Sequence, residues 1–170
     1  MSRPSPKDSN EFYHGYIDRA KGNSVAEVME NHIKEIKDFY NDLPEEKANY
    51  AYAHGKWTIK ELLQHVIDAE RVFCYRALRF ARKDTTPLQS FHENSYAKNS
   101  NAGSRTLQSL KDELNAVRNS TDLMLSSFNE EQINSSGTAS NKYITVNAIA
   151  FIIYGHLLHH KRIIEERYLK

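Results

Sequence analysis

Residues 83–103 read K-D-T-T-P-L-Q-S-F-H-E-N-S-Y-A-K-N-S-N-A-G. The stretch is polar, holds Pro87 and is rich in Asn and Ser, so it predicts a connection rather than a core helix. Its 21 residues are long for a link inside a helix bundle. The periodic segments on either side each predict a helix roughly 35 Å long at 1.5 Å per residue. An extended chain of this length can cross that distance. The two flanking helices therefore need not be antiparallel, and an overhand crossover is allowed.

Upstream, Thr58-Ile59-Lys60-Glu61 has the pattern of a capping box and predicts a helix over 59–82. Its inward side carries Leu62, Leu63, Val66, Ala69, Val72, Phe73, Ala77 and Phe80. Ser24-Val25-Ala26-Glu27 is a second capping box and opens a helix over 25–42, which Pro44 ends. The apolar stripe of that helix includes Val28, Ile33 (or His32), Ile36 and Tyr40. Residues 11–21 suit a shorter helix, and the polar, Pro-containing residues 1–10 read as loose. Downstream, 105–128 and 146–168 predict two more long helices, with a polar loop at 129–141. Only 6 Gly and 4 Pro occur, and no Pro falls within the long periodic segments, which favours an all-α fold. Four long helices with one apolar face each form a four-helix bundle, here a single domain over 11–170.

The 170 residues suffice for one domain with a real core. Hydrophobic residues are 39% and charged residues 26%, the balance of a globular chain. With 23 basic and 22 acidic side chains, net charge is +1. Nucleic acid and anionic membranes demand a clear basic excess, so neither is expected as the main partner. The single cysteine, Cys74, excludes an internal disulfide and sits in an apolar helical run, where it reads as a packed thiol. The first ten residues lack the apolar run of a signal peptide, and the longest apolar stretch, 146–154, is too short to span a bilayer. The expected location is cytoplasmic.

The chemistry-bearing residues lie in G-H-L-L-H-H-K-R, residues 155–162. His156 and His160 stand at i and i+4, which places both on one helix face with Cβ atoms roughly 6 Å apart. That spacing lets two imidazoles meet one metal. His159 is offset by roughly 60° and 100° from them and does not fit the same ion. Ile149, Ile152, Ile153 and Ile163 surround the pair on the helical wheel, so it points into the bundle. Buried ring nitrogens need partners. A metal is one solution and hydrogen bonds are the other. The residues of this helix leave both open.

His65 is a third candidate, at the edge of the apolar stripe of 59–82. It lies roughly 10 Å from its helix start, while His160 and His156 lie roughly 12 Å and 18 Å before the end of theirs. Antiparallel packing of these two helices puts all three at similar depth. It also requires the second and third long helices to run parallel, as the long crossover permits. Three neutral imidazoles without a fourth protein ligand describe an open metal site, suited to zinc or nickel, that can activate a water or a thiol.

Three segments carry a family resemblance: G-K-W-T-I-K-E-L-L-Q-H-V-I-D-A-E-R-V-F-C-Y-R-A-L-R-F-A-R-K-D at 55–84, F-H-E-N-S-Y at 91–96, and G-H-L-L-H-H…E-R-Y at the C-terminal end. Together they resemble the DinB/YfiT-like family of metal-dependent enzymes, over residues 50–168. The pattern W-(x)7-H followed far downstream by H-(x)3-H is that family's ligand pattern. The resemblance implies that His65, His156 and His160 bind a divalent metal. It also implies an up-down-down-up bundle and a homodimer. Relatives of this kind include thiol S-transferases, a mycothiol-dependent isomerase and metal-dependent hydrolases. A small-molecule substrate, with a low-molecular-weight thiol as cosubstrate, is therefore expected.

Other residues carry weaker signals. Asp68 lies one turn beyond His65 and suits either an acceptor for its ring or a solvated face. Glu70 and Arg71 read as ion-pair partners of Arg76, Arg79 or Arg82. Arg76 lies about 20° from the direction of His65 and needs a partner if buried, or can bind a substrate anion. Trp57 resembles a hydrophobic staple. His92, Glu93, Asn94 and Tyr96 are placed to line a pocket mouth. His14, His32 and His54 read as surface residues, and His159 as a pocket edge, helix contact or dimer contact. A metal enzyme, a non-catalytic or stress-associated metal-binding module, and a plain helical interaction protein are the three function classes compatible with this pattern.

Overall fold

The computed structural model describes residues 2–170. Among these are seven α-helices: α1 His14–Arg19, α2 Val25–Asn41, α3 Ile59–Ala81, α4 Glu93–Asn99, α5 Leu107–Ser126, α6 Glu130–Ile133 and α7 Val146–Arg167. A two-stranded antiparallel hairpin, β1 Ser136–Ala139 and β2 Lys142–Thr145, precedes α7. The four long helices end within two residues of the expected positions. Their caps explain why. Thr58 accepts from the Glu61 backbone N–H at 3.2 Å, and Glu61 accepts back from the Thr58 N–H at 2.7 Å. Ser24 caps α2 through the Glu27 N–H, but Glu27 reaches back to Asn23 instead of Ser24, so that box is only half formed.

Contacts along the helices give their directions. Between α3 and α5 the partners rise together: Lys60 with the Arg105 carbonyl, Gln64 with Arg105, Glu70 with Arg118 and Cys74 with Thr121. These helices run parallel. α2 runs opposite to α5, since Lys111 and Asn115 meet Asn41 while Ser126 meets Met29. α7 runs opposite to α3, with Tyr168 bonded to the Trp57 carbonyl and Gly137 against Phe80 just before α7 begins. The bundle of α2, α3, α5 and α7 is up-down-down-up, and the long segment after α3 is the crossover. That segment is not wholly irregular, because it holds α4 and a 3-10 turn at Ala102–Ser104. Leu88 ties it to the hairpin, donating to the Thr138 carbonyl and accepting from the Ser140 N–H, both at 2.9 Å.

The first half of α7, V-N-A-I-A-F-I-I-Y-G-H-L, is buried at every position. A helix apolar on all sides needs cover on all sides. Its bundle neighbours α2 and α3 leave one face open, and the N-terminal segment closes it. A Cβ on Gly155 would lie 1.9 Å from the Tyr16 carbonyl oxygen, so α1 rests directly on the α7 backbone there. Residues 2–10, expected to be loose, are also held. Arg3 donates to the carbonyls of Ile17, Ala20 and Gly22, its guanidinium lies 5.2 Å from the Phe151 ring centroid, and the Ser2 carbonyl accepts from Asn147.

Three further expectations need correction. The loop at 129–141 contains α6 and β1, and its turn is made by Ser140 and Asn141, both at positive φ (53° and 60°) without a glycine. His32 is buried in place of Ile33: its Nε2 accepts from the Lys21 N–H at 2.9 Å and its Nδ1 contacts Glu35. Glu70 and Arg71 pair across to α5, with Arg118 and Glu113, and not along their own helix. No described helix is long and apolar enough to cross a membrane.

Candidate metal centre

The apolar faces of α3 and α7 turn His65, His156 and His160 toward one another. All three are buried. His156 Nε2 lies 3.2 Å from His65 Nε2 and 3.1 Å from His160 Nε2. One ligand nitrogen from each ring fits within 4.8 Å of the other two. Two nitrogens bound about 2.05 Å from a tetrahedral ion stand about 3.3 Å apart, close to these spacings.

Hydrogen bonding alone satisfies the cluster poorly. His156 Nε2 faces two other Nε2 atoms, and a neutral imidazole nitrogen either donates once or accepts. If His65 and His160 both donated to it, their Nδ1 atoms would be left as acceptors. His160 Nδ1 is buried without a partner among the described residues in either arrangement, but the single lone pair of His156 Nε2 cannot accept well from both rings. If the three Nε2 atoms instead present lone pairs to one cation, Nδ1 carries the proton, so the donor set fits a divalent metal held by these three rings.

Electrostatics keeps the rings neutral. Burial, opposed by the charge of Glu93, pushes His65 down to about 4. Burial, followed by the neighbouring imidazoles, pushes His156 and His160 well below the usual histidine value. Between pH 6.5 and about 4 the unfolded chain therefore takes up protons that folded His65 refuses. Stability of the metal-free protein should fall with decreasing pH across this window, by about 1.4 kcal/mol per pH unit for each histidine so shifted. Urea unfolding at pH 7 and pH 5 checks this; an unchanged midpoint would mean the rings are not held neutral.

The cluster forms one end of a cavity of about 350 Å³. His65, Ala69, Phe73 and Arg76 line it along α3. Tyr13 and Tyr16 enter from the N-terminal segment, Phe91 and Glu93 from the crossover, and Ser140 from the hairpin turn. Exposed Phe12 and Glu93 at its lining bring it to the protein surface.

Residues 29–164 match the family model of the DinB superfamily. The chain belongs to the DinB superfamily. A comparison with curated proteins finds no sequence match. Among solved structures, YfiT from Bacillus subtilis, described as a probable metal-dependent hydrolase with an unusual four-helix bundle topology, is 15% identical. Its TM-score is 0.72, over 98% of this chain and 91% of YfiT. The mycothiol-dependent maleylpyruvate isomerase is 11% identical with a TM-score of 0.66, over 88% of this chain and 59% of the isomerase. At these identities the likeness establishes a shared DinB fold.

Within this DinB site the remaining expected residues separate. Asp68 does not touch His65; it accepts from Gln64 at 2.9 Å. His159 stays outside the cluster, half-buried, edge-on to Tyr16 and His160. Of the crossover residues, Glu93 lines the cavity beside the cluster, whereas Asn94 lines a neighbouring cleft with Trp57 and His160. Trp57 is half-buried: it lies against the His65 ring at 4.7 Å between centroids and walls the cavity. Tyr16 had no functional signal in the sequence, yet its ring meets His156 at 5.5 Å. Only the docking of α1 at Gly155 places it there.

Proposed function

We propose that this DinB protein is a divalent-metal-dependent enzyme that activates a thiol cosubstrate or a water, acting as a thiol S-transferase or a hydrolase. The observation that carries this reading is that three histidine nitrogens converge at the end of an open cavity and not in a sealed core. The descriptions of YfiT and of the mycothiol-dependent isomerase support it. A bound zinc or nickel ion would supply Lewis acidity, which lowers the pKa of a coordinated water or thiol.

The protein's own groups take complementary roles. Cys74 is no nucleophile: burial pushes its thiol up to about 12, and it pairs with Thr121 on the far side of α3. The nucleophile therefore comes from solution. Glu93 sits at the cavity lining, where its charge acts on His65 and on Tyr16. Its carboxylate is the group that receives the nucleophile's proton. Tyr13, Phe73 and Phe91 give the cavity beside the histidines an aromatic lining on which an apolar part of a substrate can rest.

The test is to assay zinc- and nickel-loaded protein with low-molecular-weight thiols plus electrophiles, and separately with esters and amides. His160→Ala is the control. Turnover in the first assay alone identifies a transferase, and in the second alone a hydrolase. Metal uptake without turnover above the control in either assay would sink the enzymatic reading and leave a metal-binding module.

A further inference from the structure

The cavity has a second chemical feature, at the end away from the histidines. Arg76 is only 3% exposed, and it lines this cavity. A buried guanidinium ordinarily has a carboxylate beside it, because an unpaired buried charge is costly. The same chain supplies the comparison: Arg118, also buried at 8% exposed, is paired with both Glu70 and Asp122. Arg76 has no carboxylate partner among the described residues. Its Nη2 donates to the Gln89 carbonyl at 2.9 Å and to Ser140 Oγ at 3.0 Å. No protein acceptor among the described residues takes its Nε–H or Nη1–H groups, although a guanidinium has five N–H donors. Lys60 and Lys111 are also buried without a carboxylate, but each directs its ammonium at two backbone carbonyls, and neither lines the cavity.

Position completes the argument. His65, Ala69, Phe73 and Arg76 succeed one another at i, i+4, i+8 and i+11 and form one stripe along the cavity floor. Their Cα atoms span about 16 Å of helix axis, and the arginine side chain tilts back toward the N-terminus, shortening the gap. Ala69 leaves room in the middle, and the Phe73 ring neighbours both groups, with its centroid 5.9 Å from the guanidinium and 6.2 Å from the His156 ring.

We infer that Arg76 is an anion-binding residue of this cavity. Its ligand is a small molecule with a carboxylate at one end, an apolar middle over Phe73, and a reacting group toward the histidines. A single guanidinium balances one negative charge, and with Nη2 committed to Gln89 and Ser140 it meets a carboxylate oxygen through Nη1–H or Nε–H, a charge-assisted bond. Glu93 on the same lining disfavours a dianion such as a phosphate ester. The location of the reacting group rests on the proposed metal function; the anion site does not.

The test uses full-length, metal-free protein with benzoate and benzamide as probes, followed by calorimetry and by Arg Nε–H resonances. Benzoate should bind and shift the Arg76 resonance, and benzamide should bind about tenfold or more weakly. Arg76→Gln should lose the preference, Arg76→Lys should keep part of it, and His54→Ala, at an exposed position away from the cavity lining, should retain it. Equal benzoate binding by Arg76→Gln, no preference over benzamide, or no binding to the wild type would each overturn the proposal. If Arg76→Gln does not fold, the wild-type Arg76 resonance decides: an unmoved signal under benzoate overturns it. Metal uptake, measured separately by elemental analysis, reports on the proposed function alone, so failure of one reading is distinguishable from failure of the other.

Discussion

His156→Ala is expected to abolish stoichiometric metal uptake. His156 Nε2 is the hub of the cluster, within 3.2 Å of His65 and 3.1 Å of His160. Without it the remaining two rings lie on different helices and no longer form a three-point site. Loss of a group that merely orients a ligand costs about 10–100-fold in metal affinity, and loss of a ligand should cost at least the upper end of that range. The wild type should bind one zinc or nickel per chain in equilibrium dialysis. It should also gain about 4 kcal/mol of stability when free metal is a thousand times the dissociation constant. His156→Ala should show neither effect, and His159→Ala should show both. One ion per chain retained by His156→Ala would dispose of the assigned centre.

Arg118→Ala should cost about 3–5 kcal/mol of folding stability, the usual penalty for stranding a buried charge. Glu70, 2% exposed, would be the stranded partner. Its Oε1 accepts from Arg118 at 2.9 Å and from Thr121 at 2.5 Å, while Oε2 already lacks a partner among the described residues. Burial raises the Glu70 carboxyl above the usual range, and the Arg118 charge opposes the rise. Arg118 also joins Asp122 and covers the Tyr154 ring at 4.6 Å, so packing is lost with charge. Removing both charges, as in Arg118→Met with Glu70→Gln, should recover most of the loss. Urea midpoints of the three proteins measure this; a loss below about 1 kcal/mol for Arg118→Ala would show that the pair holds little.

The long helices were legible because caps and apolar periodicity are local. Thr58 and Glu61 announce α3, and Pro44 ends the segment that carries α2. The meeting of the three histidines was legible for the same reason: i, i+4 spacing fixes a face, and depth along antiparallel helices brings in His65. The crossover length pointed correctly to the parallel pair α3 and α5. What escaped was set by tertiary contact. The hairpin strands are four residues each, too short for a periodic signal. His32 lies one position from Ile33, and which of them turns inward is decided by the Lys21 N–H waiting for an acceptor. Trp57 and Tyr16 reach the site through packing of segments far apart in the chain. The N-terminal residues are held because α7 is apolar all round, a property of α7 and not of their own composition.

The three histidines ride on two long packed helices, whereas much of the cavity wall belongs to connections: the N-terminal segment, the crossover and the hairpin turn. Connections tolerate sequence change far better than packed helices do. This architecture therefore separates two kinds of inheritance. The three-histidine cluster is tied to the core and is costly to alter. The shape of the cavity beside it can be retailored by a few replacements around residues 89–93 and at Ser140, with the cluster left in place.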